Sequence, residues 1–194
     1  LIPRPDTEIL VESVLERIDN MNKDRIDVLD IGAGSGAVAI SIDLLSGKSN
    51  VLSVDISLEA LEVANLNNKR LNANVEFVLS DVFGNVEGTF DVIVSNPPYI
   101  EKAEYETLDK NVKDFEPTLA LKAENGGLFF YEKTIEESFD YLKKGGILAF
   151  EVGYNQSAVI MQLMAEKGYE NISVIQDLSG INRVVLGYRG EKNV

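Results

Sequence analysis

Apolar and polar positions alternate along this chain in two rhythms that take turns, and the turns outline the fold. Leu10, Val11, Val14, Leu15 and Ile18 recur at helical spacing behind Pro5, a residue suited to a first helical turn. Residues 26–31 then form a short β-branched run, read as a strand. It is followed by Gly32-Ala33-Gly34-Ser35-Gly36 and by a helix opening at Ala37. Residues 50–55 are a second strand, Leu58, Leu61, Ala64 and Leu71 a helix between Ser57 and about Asn72, and residues 75–79 a third strand. The run Phe90-Asp91-Val92-Ile93-Val94 is a buried fourth strand.

Between Ile100 and about Ala123 neither period holds, although Phe115-Glu116-Pro117 and Leu119-Ala120-Leu121 suggest that the far end packs back on the domain. Leu128, Tyr131, Ile135, Phe139 and Leu142 mark a helix, with Lys143 and Lys144 in its last turn and Gly145-Gly146 beyond. Residues 147–152 are a fifth strand, residues 156–167 a helix ended by Gly168, and residues 172–175 and 183–188 two last strands. The link between these two is too short for a crossover helix, so the final strand runs antiparallel to its predecessor. The expectation is one α/β domain over residues 1–194, with a mostly parallel sheet and an antiparallel last strand.

Composition narrows the chemistry. The chain of 194 residues has no Cys and no His, which removes disulfides, zinc fingers, thiol nucleophiles and imidazole bases. Its formal charge of −14 disfavours a nucleic-acid substrate, whose phosphates call for Lys and Arg. No run approaches the ~20 apolar residues of a spanning helix, and residues 1–6 lack a signal pattern, so the expected compartment is the cytoplasm.

Two stretches carry candidate chemistry. Gly32, Ala33, Gly34, Ser35 and Gly36, between strand and helix, form a nucleotide-binding turn that fits both a dinucleotide fingerprint and a methyl-donor pattern, leaving NAD and S-adenosylmethionine open. Asp55 ends the second strand where a ribose diol would meet a carboxylate; it is also a candidate helix cap, a role Ser57 fills equally well. Asp81 is placed to accept from an adenine amine with Val82 and Phe83 against the ring, the plain alternative being a capping Asp and two core residues. The second stretch is Ser95-Asn96-Pro97-Pro98-Tyr99-Ile100, at a strand's carboxyl end. Consecutive prolines stiffen the turn and point its carbonyls outward. Asn96 Oδ1 and the Pro97 carbonyl then form a rigid acceptor pair beside the flat ring of Tyr99, suited to a planar NH₂ group such as an amide or a base's exocyclic amine.

Taken together, the octet Leu1-Ile2-Pro3-Arg4-Pro5-Asp6-Thr7-Glu8, the Asp30–Gly36 turn, Ser80-Asp81-Val82-Phe83, the Asn96–Tyr99 turn and Phe115-Glu116-Pro117 resemble the HemK family of release-factor glutamine methyltransferases, from Leu1 to the 183–188 strand. The resemblance implies a Rossmann-like class I methyltransferase fold with strands ordered 3-2-1-4-5-7-6. It implies S-adenosyl-L-methionine as donor and, as substrate, the glutamine of the Gly-Gly-Gln motif in peptide-chain release factors. On it, Gly32 to Gly36, Asp55, Asp81, Val82 and Asn96 hold the cofactor, Asn96, Pro97, Pro98 and Tyr99 bind the glutamine, and Asn96 and Pro97 are the catalytic pair. Val82 stands where some members have Trp. The family's N-terminal helical domain is not in these residues, and a start at Leu rather than Met, in mid-motif, leads to the expectation of an upstream part. Rival readings are an adenine or guanine exocyclic-amine methyltransferase, a ribosomal-protein glutamine methyltransferase, an NAD-dependent oxidoreductase, and a non-catalytic cofactor-binding module.

Overall fold

The computed structural model describes residues 5–97, 100–101, 122–123 and 127–191. Helix α1 (Pro5–Asn20) leads into β1 (Ile26–Ile31), α2 (Ala37–Ser46), β2 (Ser49–Asp55), α3 (Leu58–Leu71), β3 (Glu76–Leu79) and β4 (Phe90–Ser95). Two short strands, β5 (Ile100–Glu101) and β6 (Lys122–Ala123), pair parallel apart from the main sheet. Then follow α4 (Phe129–Tyr141), β7 (Leu142–Glu151), α5 (Ser157–Lys167), β8 (Tyr169–Gln176) and β9 (Asn182–Arg189).

The main sheet has seven strands in the order β3-β2-β1-β4-β7-β9-β8. From β3 to β7 every pairing is parallel, and β9 is antiparallel to both β7 and β8. Counting only the main-sheet strands in chain order, this is 3-2-1-4-5-7-6, as the resemblance implied. The chain leaves β1 toward β2 and β3, then returns to start β4 on β1's other side. That reversal leaves a crevice at the carboxyl ends of β1 and β4, the position where open α/β sheets bind ligands.

Alternate residues of the central strands feed two cores. Val28, Val92, Val94 and Ala149 face one side with Leu10, Val14 and Ile18 of α1 and Val38, Ala39 and Ile42 of α2. Leu29, Ile93, Leu148 and Phe150 face the other with Tyr131, Ile135 and Phe139 of α4 and Ile160 and Met164 of α5. Strands buried on both faces read as mostly apolar runs, which is why β1, β4 and the later part of β7 stood out in the sequence. Each fully buried Leu, Ile or Phe stabilises this arrangement by about 1.5–3 kcal/mol.

The pattern misplaced one feature. Helix α4 stops at Tyr141, and Lys143 lies in β7 rather than in a last helical turn. Its ammonium donates to Asp27 Oδ2 at 2.7 Å and to Asp91 Oδ2 at 2.8 Å, and Lys23 also pairs with Asp91. Asp91 is a nearly buried acid opening β4, so a cation held by two carboxylates here offsets more than a helix-dipole contact would. Among the described residues no helix is long and apolar enough to cross a membrane. The expected packing of residues 115–121 lies outside the described residues.

Candidate active site

Strand β1 ends in a turn whose backbone is tied down on every side. Gly32 and Ala33 both donate to the Val54 carbonyl of β2, at 2.8 and 2.9 Å, and Gly36 donates to Ala33 at 2.7 Å. Asn67 of α3 donates to the Ser35 carbonyl at 2.9 Å. Gly36 holds a φ of 80°, and a Cβ on it would lie 2.9 Å from Ile40 Cδ1 and 3.2 Å from both Ala64 and Phe77, so both conformation and packing require glycine there. Among the described residues no side chain caps α2, which leaves the N–H groups of its first turn to an anion or to other polar atoms of a ligand.

Asp55 is built into this turn. Its Oδ2 accepts from Gly34 N and its Oδ1 from Ser57 N, each at 2.9 Å. The cap of α3 is Ser57, whose Oγ accepts from Ala60 N at 3.1 Å, so the carboxylate is not occupied as a helix cap. A carboxylate has about four lone-pair sites, and two backbone partners leave acceptor capacity for a vicinal diol.

Below the turn, Asp30 is enclosed. It is 1% exposed, its Oδ2 accepts from Ser53 Oγ at 2.7 Å, and its Oδ1 has no hydrogen-bond partner among the described residues. Burial, opposed by the Ser53 bond and helped by the charge of Asp55, raises its pKa to about 7.

The turn after β3 carries Asp81 and Val82. Asp81 is largely exposed and pairs with Lys133 at 2.9 Å, an exposed contact of little net energy that a ligand can displace. Val82 has a φ of 52°, which is costly for a β-branched residue. Ser80 holds it there by donating to the Val82 carbonyl at 3.0 Å and accepting from Asn85 N at 2.9 Å. The side chains of Val82 and Phe83, expected against an adenine ring, are 6% and 2% exposed and belong to the α4 and α5 core. What this turn offers a ligand is therefore the Asp81 carboxylate and the Val82 backbone.

Across the crevice, Ser95 at the end of β4 donates to the Ile31 carbonyl at 2.7 Å, which locks the two strand ends together. Asn96 follows, half-buried, and a Cβ built on Gly32 would stand 4.0 Å from its carbonyl oxygen. The glycine turn and the Asn96 turn, 64 residues apart between Gly32 and Asn96, thus lie side by side, following the paired strand ends Ile31 and Ser95. Pro97 is buried; Pro98 and Tyr99 lie outside the described residues.

Sequence reasoning missed two residues here. Asn96 Nδ2 donates to Thr7 Oγ1 at 3.2 Å, and Thr7 Oγ1 donates to Glu151 Oε2 at 2.7 Å. Glu151 is 1% exposed at the end of β7. Its signal was available, since a charged residue closing an otherwise apolar strand stands at the sheet edge where ligands bind.

A family model described as the methyltransferase small domain matches residues 6–129. The chain is 41% identical over 196 residues to a release factor glutamine methyltransferase of Fusobacterium nucleatum, an alignment covering 99% of this chain and 54% of that protein. It is 42% identical over 186 residues to one of Lactococcus lactis, covering 95% and 68%. It therefore spans about half of the first relative and two thirds of the second. A solved structure of a release-factor-specific protein-(glutamine-N5) methyltransferase from Alicyclobacillus acidocaldarius superposes with a TM-score of 0.60 at 29% identity, over 97% of this chain and 94% of that one. The chain belongs to the methyltransferase small-domain family and to that of the release factor glutamine methyltransferases.

Proposed function

We propose that this chain transfers a methyl group from S-adenosylmethionine to the side-chain nitrogen of the glutamine in a release factor's Gly-Gly-Gln motif. The observation that carries the reading is the juxtaposition of the glycine turn and Asn96 at the paired ends of β1 and β4, with the Asn96 amide anchored through its nitrogen so that its oxygen is left to accept. The relatives' names supply the substrate class.

The residues present fit the cofactor. Gly32 to Gly36 and the uncapped start of α2 take its polar groups, Asp55 the ribose hydroxyls, and Asp81 with the Val82 backbone the adenine. Bound there, S-adenosylmethionine supplies an electrophilic methyl on a sulfonium.

An amide nitrogen is a weak nucleophile because its lone pair is delocalised into the carbonyl. Asn96 Oδ1 and the Pro97 carbonyl accept the two N–H hydrogens, hold the nitrogen at a fixed position and favour the geometry in which the lone pair faces the crevice. Positioning of this kind supplies up to ~7–11 kcal/mol of barrier lowering. The N-methylated cationic amide is acidic enough to lose its proton to water, so the lack of His in the sequence costs the reaction nothing.

Labelled methyl transfer to a release factor, beside its Gln→Ala variant and a duplex nucleic acid, tests the reading. Incorporation is expected in the parent factor alone. Label in the Gln→Ala factor or in the nucleic acid would overturn it.

Asp55→Ala is expected to weaken S-adenosylmethionine by about 1.5–3 kcal/mol, the range for losing charge-assisted hydrogen bonds. Titration calorimetry checks this, and an unchanged affinity would remove Asp55 from the site.

A further inference from the structure

The side-chain amide of asparagine has nearly the same shape in its two flipped orientations, and they differ only in which end carries the oxygen. For Asn96 that difference decides the chemistry. With the oxygen toward the crevice it accepts from an incoming NH₂ group; with the nitrogen there, two donors oppose each other.

Thr7 and Glu151 bias this choice. A Thr hydroxyl has a single proton to give. Thr7 gives that proton to Glu151 Oε2 at 2.7 Å, so toward Asn96 it has only lone pairs, and Asn96 meets it with its nitrogen at 3.2 Å. The Asn96 oxygen is thereby turned to the opposite side. Thr7 and Glu151 are enclosed, at 8% and 1% exposure, so water competes poorly for the bond between them. The backbone at Glu151 is pinned in turn, its carbonyl accepting from the Tyr131 hydroxyl at 2.9 Å. The three residues come from the first turns of α1, the end of β7 and the residue after β4, so only the folded sheet edge assembles them.

We propose that Thr7 and Glu151 are positioning residues that hold the Asn96 amide oxygen toward the substrate nitrogen. The inference rests on the glutamine reading of Asn96 and adds to it the device that orients the group. It also gives the start of α1 a task in the site that its distance along the chain conceals.

Thr7→Val keeps the shape of the side chain and removes the hydroxyl. It is expected to lower the single-turnover rate of methyl transfer to a release factor about tenfold, the loss of roughly one hydrogen bond's bias. Thr7→Ser should recover most of that loss, and the affinity for S-adenosylmethionine and the melting temperature should stay near the parent's in both. In an Asn96→Ala background, which has no amide to orient, Thr7→Val should have no further effect on the rate. Equal losses in both backgrounds would mean that Thr7 acts through packing, and would overturn the relay. So would a parental rate in Thr7→Val alongside a large loss in Asn96→Ala. A parental rate in Asn96→Ala itself would instead bring down the glutamine reading, and the relay with it.

Discussion

Asn96→Ala is expected to lower the single-turnover rate of methyl transfer about 10²- to 10³-fold, or ~2.7–4 kcal/mol, the range for removing one preorganised polar group aimed at reacting atoms. The fold should survive, because Asn96 lies beyond the end of β4 and the lock between the strand ends is made by Ser95, not by Asn96. Cofactor affinity should largely survive too, since Asp55, Asp81 and the glycine turn are untouched. The loss should therefore fall in the chemical step, where aligning the amide nitrogen matters, and little in cofactor binding. Rapid-quench measurement with the variant saturated in S-adenosylmethionine decides the matter. A rate within twofold of the parent's would leave the Asn96 turn without a role in catalysis.

The parts of this site that the sequence disclosed are those whose chemistry is local. The glycines at 32, 34 and 36 advertise positive φ, and at Gly36 the structure adds the close approach of Ile40, Ala64 and Phe77. Asp55 stood at a strand end, and only the structure shows that Ser57 takes the cap and leaves the carboxylate to the Gly34 amide. The β1, β4 and β7 runs were legible because strands covered on both faces are mostly apolar. What stayed hidden depends on long-range pairing. Thr7 and Glu151 are 144 residues apart, and nothing in the period of α1 marks one of its first-turn residues as a partner of β7. For Val82 and Phe83 the sequence offered two readings, an adenine contact and a place in the core, and the structure bears out the second. The left-handed backbone of Val82, held by Ser80, is what sequence pattern carries no sign of, because β-branched residues so rarely adopt it. Lys143 was misread because a basic residue after a helical pattern suits a last turn as well as it suits a buried acid on the neighbouring strand.

Stability is expected to carry the signature of Asp30. Its carboxyl has no second partner among the described residues, and burial raises its pKa from 3.8 to about 7. An acid whose pKa is higher folded than unfolded binds more protons in the native state across the interval between the two values. Stability therefore falls as pH rises through that interval, and the loss is complete above about 7. Three pKa units correspond to up to about 4 kcal/mol. Asp30→Asn keeps the shape and an acceptor for Ser53 but cannot ionise. Relative to the parent, the variant should gain stability steadily from about pH 4 to pH 7, with no further gain above that. Other acids shift the absolute curves of both proteins alike, so the comparison isolates this one group. Urea denaturation of parent and variant at pH 4.5, 6 and 7.5 measures the gap. A gap that stayed constant across these three values would mean that Asp30 is ionised throughout in the folded protein, and that a cation or solvent reaches it under the glycine turn.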